Sequence, residues 1–266
     1  MTTRRLIVHP LATQVPPESL RDGTVVVIDL LRATTTLCYA MAAGASEIIP
    51  VVNVDEALQL AAKLRSEHPE RYPEDSIRLG GERHCLPIPG FDFGNSPREY
   101  TRESVGGRTL IFSTTNGTKA IRIASLARTI FCGAIVNLHS LVRSLQSTDT
   151  EEIHLLCAGA GGVFSCDDWW CAGIIVETLQ RETYGEFEES ETTRRARDAW
   201  NQRFGAFRIR GFAQSALIGE LRRTVAGRLL VSAGLERDME DVTRRDHLDV
   251  VPRPDPSTGI IRNDNR

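Results

Sequence analysis

Lysine is almost missing from this chain: of its 32 basic residues only Lys63 and Lys119 are lysines, the rest arginines. The shortage reads as a compositional bias. Other absences exclude whole classes of function. There is no CxxC pair, which removes the usual structural zinc site. No apolar run approaches the length of a bilayer span, and the opening MTTRRLIVHPLATQ has no leader-like apolar core, so a cytoplasmic protein without membrane contact is expected. Charge is nearly balanced, 32 basic against 35 acidic residues with a net of −3, so nothing draws the chain to nucleic acid. A small anion would have to be held by local groups. The six cysteines are scattered, and a chain of 266 residues with 41% hydrophobic content needs no staples, so they are read as reduced thiols.

What is present is an alternation of short β-rich runs and longer helical patterns. Strands are expected at 25–31, 47–52, 77–80, 109–112, 129–132 and 153–157. Helices are expected at 33–43, 55–66, 117–126, 137–145 and 167–181. This order predicts an α/β chain, a three-layer α/β/α arrangement with a mostly parallel or mixed central sheet. The whole of 1–266 reads as a single domain. An acidic linker at 184–191 leads to a helical extension (185–250) with helices at 192–204, 214–221 and 223–232, and 253–266 reads as a flexible tail. Apolar positions on the extension would suit a homodimer.

Four loops at strand ends, where open α/β sheets bind ligands, carry the polar groups. Asp29-Leu30-Leu31-Arg32-Ala33-Thr34-Thr35-Thr36 places an acid, an arginine and hydroxyls at a helix start. That arrangement suits an anion, though Asp29 and a threonine could simply cap the helix. Glu82 and Arg83 follow the strand at 77–80, and the Pro- and Gly-rich loop from His84 to Pro97 brings Asn95 and Ser96, the latter a good N-cap before Pro97. Thr114-Thr115-Asn116-Gly117-Thr118 resembles a phosphate cradle without Walker spacing, or else a capped Asn-Gly turn. Gly159-Ala160-Gly161 starts a dinucleotide fingerprint that Phe164 interrupts, and it runs into Asp167-Asp168. These two acids are helix-opening caps or oxygen ligands for a hard cation such as Mg²⁺.

Covalent phosphatase patterns fail one by one. Leu31 stands where DxDxT needs an acid, Phe91 where a His84-Cys85 loop needs arginine, and Cys85 where an Arg83-His84 opening needs glycine. No Gly-x-Ser-x-Gly elbow occurs. Metal-assisted attack by water is the economical alternative.

In this order, IDLLRATTT, GER, GFDFGNSP, STTNGT, CAGAGG, DD followed by Ala172-Gly173, Gly234-Leu235 with Asp238, and a final VVP resemble the 2-phosphosulfolactate phosphatase family over about 25–252. The resemblance implies a three-layer α/β, Mg²⁺-dependent enzyme converting (2R)-O-phospho-3-sulfolactate to 3-sulfolactate and phosphate, a step of coenzyme M biosynthesis. Its small phosphorylated sulfo- or carboxylic-acid substrate carries several oxyanions. Asp29, Arg32, Glu82 and Asp168 then become the catalytic candidates. Thr34, Thr35, Arg83, Asn95, Ser96 and Thr114 to Thr118 become the substrate-binding ones, and Asp29, Glu82, Asp167 and Asp168 the metal ligands. Asp167 stands where the family often has glutamate. Two rival readings remain: a phosphatase of the same family with a different phosphorylated hydroxy acid, and a non-catalytic sensor of a phosphorylated ligand or nucleotide.

Overall fold

The computed structural model describes residues 4–183, 187–205 and 214–264. In chain order its strands are β1 (Arg4–His9), β2 (Thr24–Ile28), β3 (Glu47–Pro50), β4 (Ile77–Arg83), β5 (Leu86–Pro87), β6 (Thr109–Ser113), β7 (Thr129–Gly133), β8 (Glu152–Cys157), β9 (Phe187–Glu189), β10 (Pro252–Pro254) and β11 (Ile261–Asn263). The helices are α1 (Ala33–Ala42), α2 (Val54–Glu67), α3 (Arg102–Val105), α4 (Gly117–Ile123), α5 (Leu138–Gln146), α6 (Cys166–Glu182), α7 (Glu191–Phe204), α8 (Gln214–Leu221), α9 (Val225–Ser232) and α10 (Asp238–Val242).

The expected three-layer α/β class holds, with the strands divided between two sheets. One is wholly parallel in the order β7-β2-β8-β1-β9. The other is mixed, β10-β11-β3-β6-β4-β5, with β3, β6 and β4 parallel at its centre. Every residue of β2 is buried, because helices and neighbouring strands cover both faces of a central parallel strand; hence its unbroken TVVVI. β2 ends at Ile28 instead of Leu31, which leaves Asp29 as the first residue off the strand. A large apolar cluster extends from Leu6 to Ile261, and a smaller one around Ile77, Ile111 and Tyr72 lies under α2. No described helix is long and apolar enough to cross a membrane.

Three expectations change. The segment at 253–266 is not a loose tail up to Asn263. β10 and β11 form a hairpin that extends the mixed sheet past β3, Ile261 is fully buried, and Arg262 reaches Glu47 at 2.6 Å. Its prolines look like strand breakers, but an edge strand tolerates a missing donor. Asn265 and Arg266 lie outside the described residues, as do Tyr184, Gly185 and Glu186 of the expected acidic linker. The rest of that linker contains β9, which pairs in parallel with β1: Phe187 is buried and Glu189 binds Arg197 at 2.6 Å. β1 itself was not expected, since RRLIVH is short and half polar; only its Leu6 and Val8 are buried.

α7 lies on α6 through a close approach at Gly173. A Cβ there would fall 2.4 Å from the Ala196 carbonyl and 2.7 Å from the Trp200 Cβ. Both obstacles belong to the α7 backbone or its root, so the helices would have to separate. Gly173→Ala is expected to lose about 1–3 kcal/mol, as overpacking of a core does. Urea unfolding checks this, and an unchanged midpoint would mean that the two helices are not packed as described.

Candidate active site

The loops after β2 and β8 of the parallel sheet meet those after β4 and β6 of the mixed sheet. Between them lies a cavity of about 300 Å³, lined by Asp29, Arg32, Glu82, Asn95, Thr115 and Asn116 among others. The first turn of α9 closes one side with Val225, Ala226 and Leu229, so the helical extension is part of the wall. A cavity of similar size, about 320 Å³, lies between the ends of β3 and α4 and the β10–β11 turn, away from these loops.

Asp29 is 6% exposed. Its Oδ1 accepts the Ala33 N–H at 3.2 Å, so it does cap α1, and among the described residues no donor is paired with Oδ2. Burial lifts its carboxyl from the ordinary 3.8 to about 7; the Ala33 N–H opposes this, and the charges of Glu82 and Asp167 add to it. Glu82 is pinned by two backbone donors, Cys85 N at 2.9 Å and Thr115 N at 2.8 Å, and so ties the β4 loop to the β6 loop. Gly81 makes this crossing feasible: its φ is +143°, and a Cβ would lie 1.9 Å from the Ser113 carbonyl.

The other acids are placed differently from expectation. Asp168 does not line the cavity. Its Oδ1 accepts from Leu30 N at 2.8 Å and its Oδ2 from Gly159 N at 2.9 Å, which joins the tips of β2 and β8. Burial, then the charges of Asp167 and Asp29, hold its carboxyl well above the ordinary range. Asp167 also lies off the cavity and accepts from the Ser165 hydroxyl; burial raises its carboxyl too. The four acids therefore share one electrostatic neighbourhood, but only Asp29 and Glu82 face the cavity. Among the described residues no three Asp, Glu, His or Cys side chains form a metal cluster. The four acids do not converge on the cavity, because Asp167 and Asp168 are turned to the strand tips and the Ser165 hydroxyl instead.

Several substrate-binding candidates are structural. The hydroxyl of Thr34 donates to Asp29 O or Gly133 O, and that of Thr35 to Leu30 O; both residues are fully buried. Arg83 lies on Glu82 O, Val52 O and Ser113 Oγ, where it caps strand ends. Thr114 and Thr118 bond one another across the first turn of α4. Gly117 packs on α1, where a Cβ would come within 2.6 Å of the Ala33 Cβ. Short local hydroxyl-to-backbone bonds win over ligand duty in these cases.

Asn95, Thr115 and Asn116 do face the cavity. Asn95 Oδ1 and Thr115 Oγ1 are buried and have no hydrogen-bond partner among the described residues, which is costly unless a ligand supplies one. Cys85 lines the cavity as well, but burial pushes its thiol above the ordinary value, against a thiolate nucleophile.

Sequence reasoning gave no role to Asp238, at the start of α10. It forms a buried ion pair with Arg32 at 2.7 Å, the two side chains only 3% and 2% exposed, and it accepts the Ser96 hydroxyl at 2.7 Å. Ser96 thus precedes the short helical turn at 97–99 as expected but spends its hydroxyl on Asp238 and not on a cap. Arg32 also donates to Cys85 O at 3.2 Å. The only sequence signal for Asp238 was its place in the Gly234-Leu235-x-x-Asp238 segment.

Together these features describe an α/β protein with a cavity at the carboxyl ends of parallel strands, lined among the described residues by hard oxygen donors and one arginine. A family model described as 2-phosphosulpholactate phosphatase matches residues 10–255. The chain belongs to that family, which is one of phosphatases. Its relatives include proteins described as probable 2-phosphosulfolactate phosphatases. That of Clostridium tetani is 34% identical over 251 residues, 94% of this chain and 97% of the relative. That of Clostridium novyi is 32% identical over 241 residues, 91% and 93% of the two chains.

Proposed function

We propose that this protein is a Mg²⁺-dependent phosphatase that hydrolyses (2R)-O-phospho-3-sulfolactate to (2R)-3-sulfolactate and phosphate, the step that serves coenzyme M biosynthesis. The observation that carries the reading is one cavity with two buried acids, Asp29 and Glu82, and two unpartnered polar atoms, Asn95 Oδ1 and Thr115 Oγ1. The substrate class follows the names of the relatives.

The donor set fits Mg²⁺. Carboxylates and an amide oxygen are hard ligands, and Mg²⁺ is commonly held by one or two carboxylates with water and substrate phosphate completing the shell. Charge supports the same conclusion. The one guanidinium that lines the cavity among the described residues is matched by Asp238, so a polyanionic ester would otherwise meet Asp29 and Glu82 unbalanced. Asp29, Glu82 and Asn95 would hold the ion, which when bound neutralises developing charge on the phosphoryl oxygens.

The chain's own residues do the rest. Asp29 accepts a proton from a water as that water's oxygen forms the new bond to phosphorus. The ester P–O bond breaks, and the departing hydroxy-acid oxygen is protonated from solvent. A proton acceptor needs a carboxylate oxygen within reach of the attacking water, and no donor is paired with Asp29 Oδ2 among the described residues. Arg32, held in place by Asp238, and the Thr115 hydroxyl bind phosphoryl oxygens, so that catalysis rests on positioning and charge stabilisation.

Inorganic phosphate release, measured over a panel of phosphorylated C3 acids with Mg²⁺ or EDTA, tests this. Phosphosulfolactate is expected to be the best substrate, with EDTA lowering the rate by about 100-fold or more, since metal activation of water and phosphate would be lost. Faster release from another acid would move the assignment to a different substrate. No release from any would leave a sensor.

A further inference from the structure

We infer that a second compartment beside the acid-lined cavity receives the substrate's sulfonate, with Lys119 as its cation. The inference rests on the phosphatase reading above. This compartment, about 280 Å³, shares Thr115, Asn116 and Gly161 with the first cavity. The Asn116 side chain accepts the Gly161 N–H at 3.2 Å and forms a rib between the two spaces.

Their linings are opposite in charge. The first holds Asp29 and Glu82; the second has no acid among the described residues that line it, and beside the shared Thr115 and Asn116 presents Lys119, Thr13 and small or apolar side chains such as Ala158. Lys119 forms no ion pair among the described residues, and the chain's only other lysine, Lys63, is tied to Glu67 on α2. The unpartnered Thr115 hydroxyl belongs to the wall common to both compartments.

The chemistry of the ester divides in the same way. Its phosphate and carboxylate are good ligands for a hard cation and suit the side that holds the acids. A sulfonate is a weak metal ligand that stays ionised at all relevant pH. It is best met by an ammonium and hydroxyl donors where no carboxylate repels it. Lys119 is therefore a specificity-determining residue: it separates a sulfonated phosphoester from one that lacks the group.

The test compares phosphosulfolactate, 2-phospholactate (no sulfonate) and 2-phosphoethanesulfonate (no carboxylate) on wild type, Lys119→Met and Lys119→Arg. Lys119→Met is expected to lower the kcat/KM ratio of phosphosulfolactate to phospholactate by about 10- to 100-fold through KM, the range for one lost charge-assisted contact. The ratio of phosphoethanesulfonate to phospholactate should fall with it, and Lys119→Arg should restore most of both. An equal fall on all three esters, or no fall, would overturn the assignment. Calorimetric binding of 3-sulfolactate and lactate gives a readout independent of turnover. Even if no ester is hydrolysed, at least tenfold weaker sulfolactate binding in Lys119→Met would support the subsite, and equal binding would reject it.

Discussion

Asp29→Asn is expected to lower phosphate release by about 10²- to 10⁴-fold, the usual worth of a positioned proton acceptor, while the fold persists. Asparagine keeps the shape and an oxygen for the Ala33 N–H, so α1 remains capped. The same variant should change how stability depends on pH. In the metal-free folded chain the Asp29 carboxyl lies at about 7, and unfolding returns it to 3.8. Between these values the folded state holds a proton that the unfolded state has released, so wild-type stability falls as pH rises through that window, at up to about 1.4 kcal/mol per unit. Below about 4 both states are protonated and this contribution is flat. Asp167 and Asp168, also raised by burial, add slope of the same sign. Asp29→Asn removes its own share, so its urea unfolding free energy should exceed that of wild type at pH 8 and match it more closely at pH 5. Mg²⁺ should reverse the wild-type trend, because it binds the deprotonated acids. Undiminished turnover in Asp29→Asn would reject the catalytic role, and identical pH profiles of stability would reject the burial argument.

The largest loss of stability should come from Asp238→Ala. Arg32 would then be left as a buried cation without its partner, which costs about 3–5 kcal/mol, and the Ser96 hydroxyl would lose its acceptor. Asp238→Asn keeps an oxygen for one of these bonds and should cost less. Replacing both members, Arg32→Met with Asp238→Leu, should recover much of the stability and none of the activity, because the proposed contact of the guanidinium with the phosphoryl group would be lost. Denaturant midpoints together with kcat and KM for the three variants check this. A midpoint for Asp238→Ala within about 0.5 kcal/mol of wild type would mean that the ion pair is not formed as described.

The strand–helix alternation could be read from the chain because burial imposes a period. TVVVI must be covered on both faces, and the following ATTTLCYAMA must turn one face inward, so β2 and α1 are visible without coordinates. β9 and the β10–β11 hairpin were not visible. Each is three residues long, polar or proline-rich, and becomes a strand only because a neighbour offers an unpaired edge. The site followed the same division. Asp29, Arg32, Glu82, Asn95 and Thr115 were recognisable as polar groups just past strand ends, and all five reach one cavity. Thr34, Thr35 and Arg83 had the same residue types in the same kinds of loop, yet nearby backbone carbonyls claim them, and Asp168 ties the strand tips together away from the cavity. Composition does not reveal which hydrogen bond a hydroxyl or carboxylate will choose.

The amino-acid order alone therefore settled the α/β class, the family and the polar loops that line the cavity, since apolar periodicity and motif spacing are properties of a linear string. Only the folded chain decided which acids face the cavity and which lock the strand tips, that Asp238, more than two hundred residues away, holds Arg32, and that Lys119 lines a compartment without an ion-pair partner among the described residues. Those outcomes depend on distances through space and on competition for buried partners, and neither exists until the two sheets have come together.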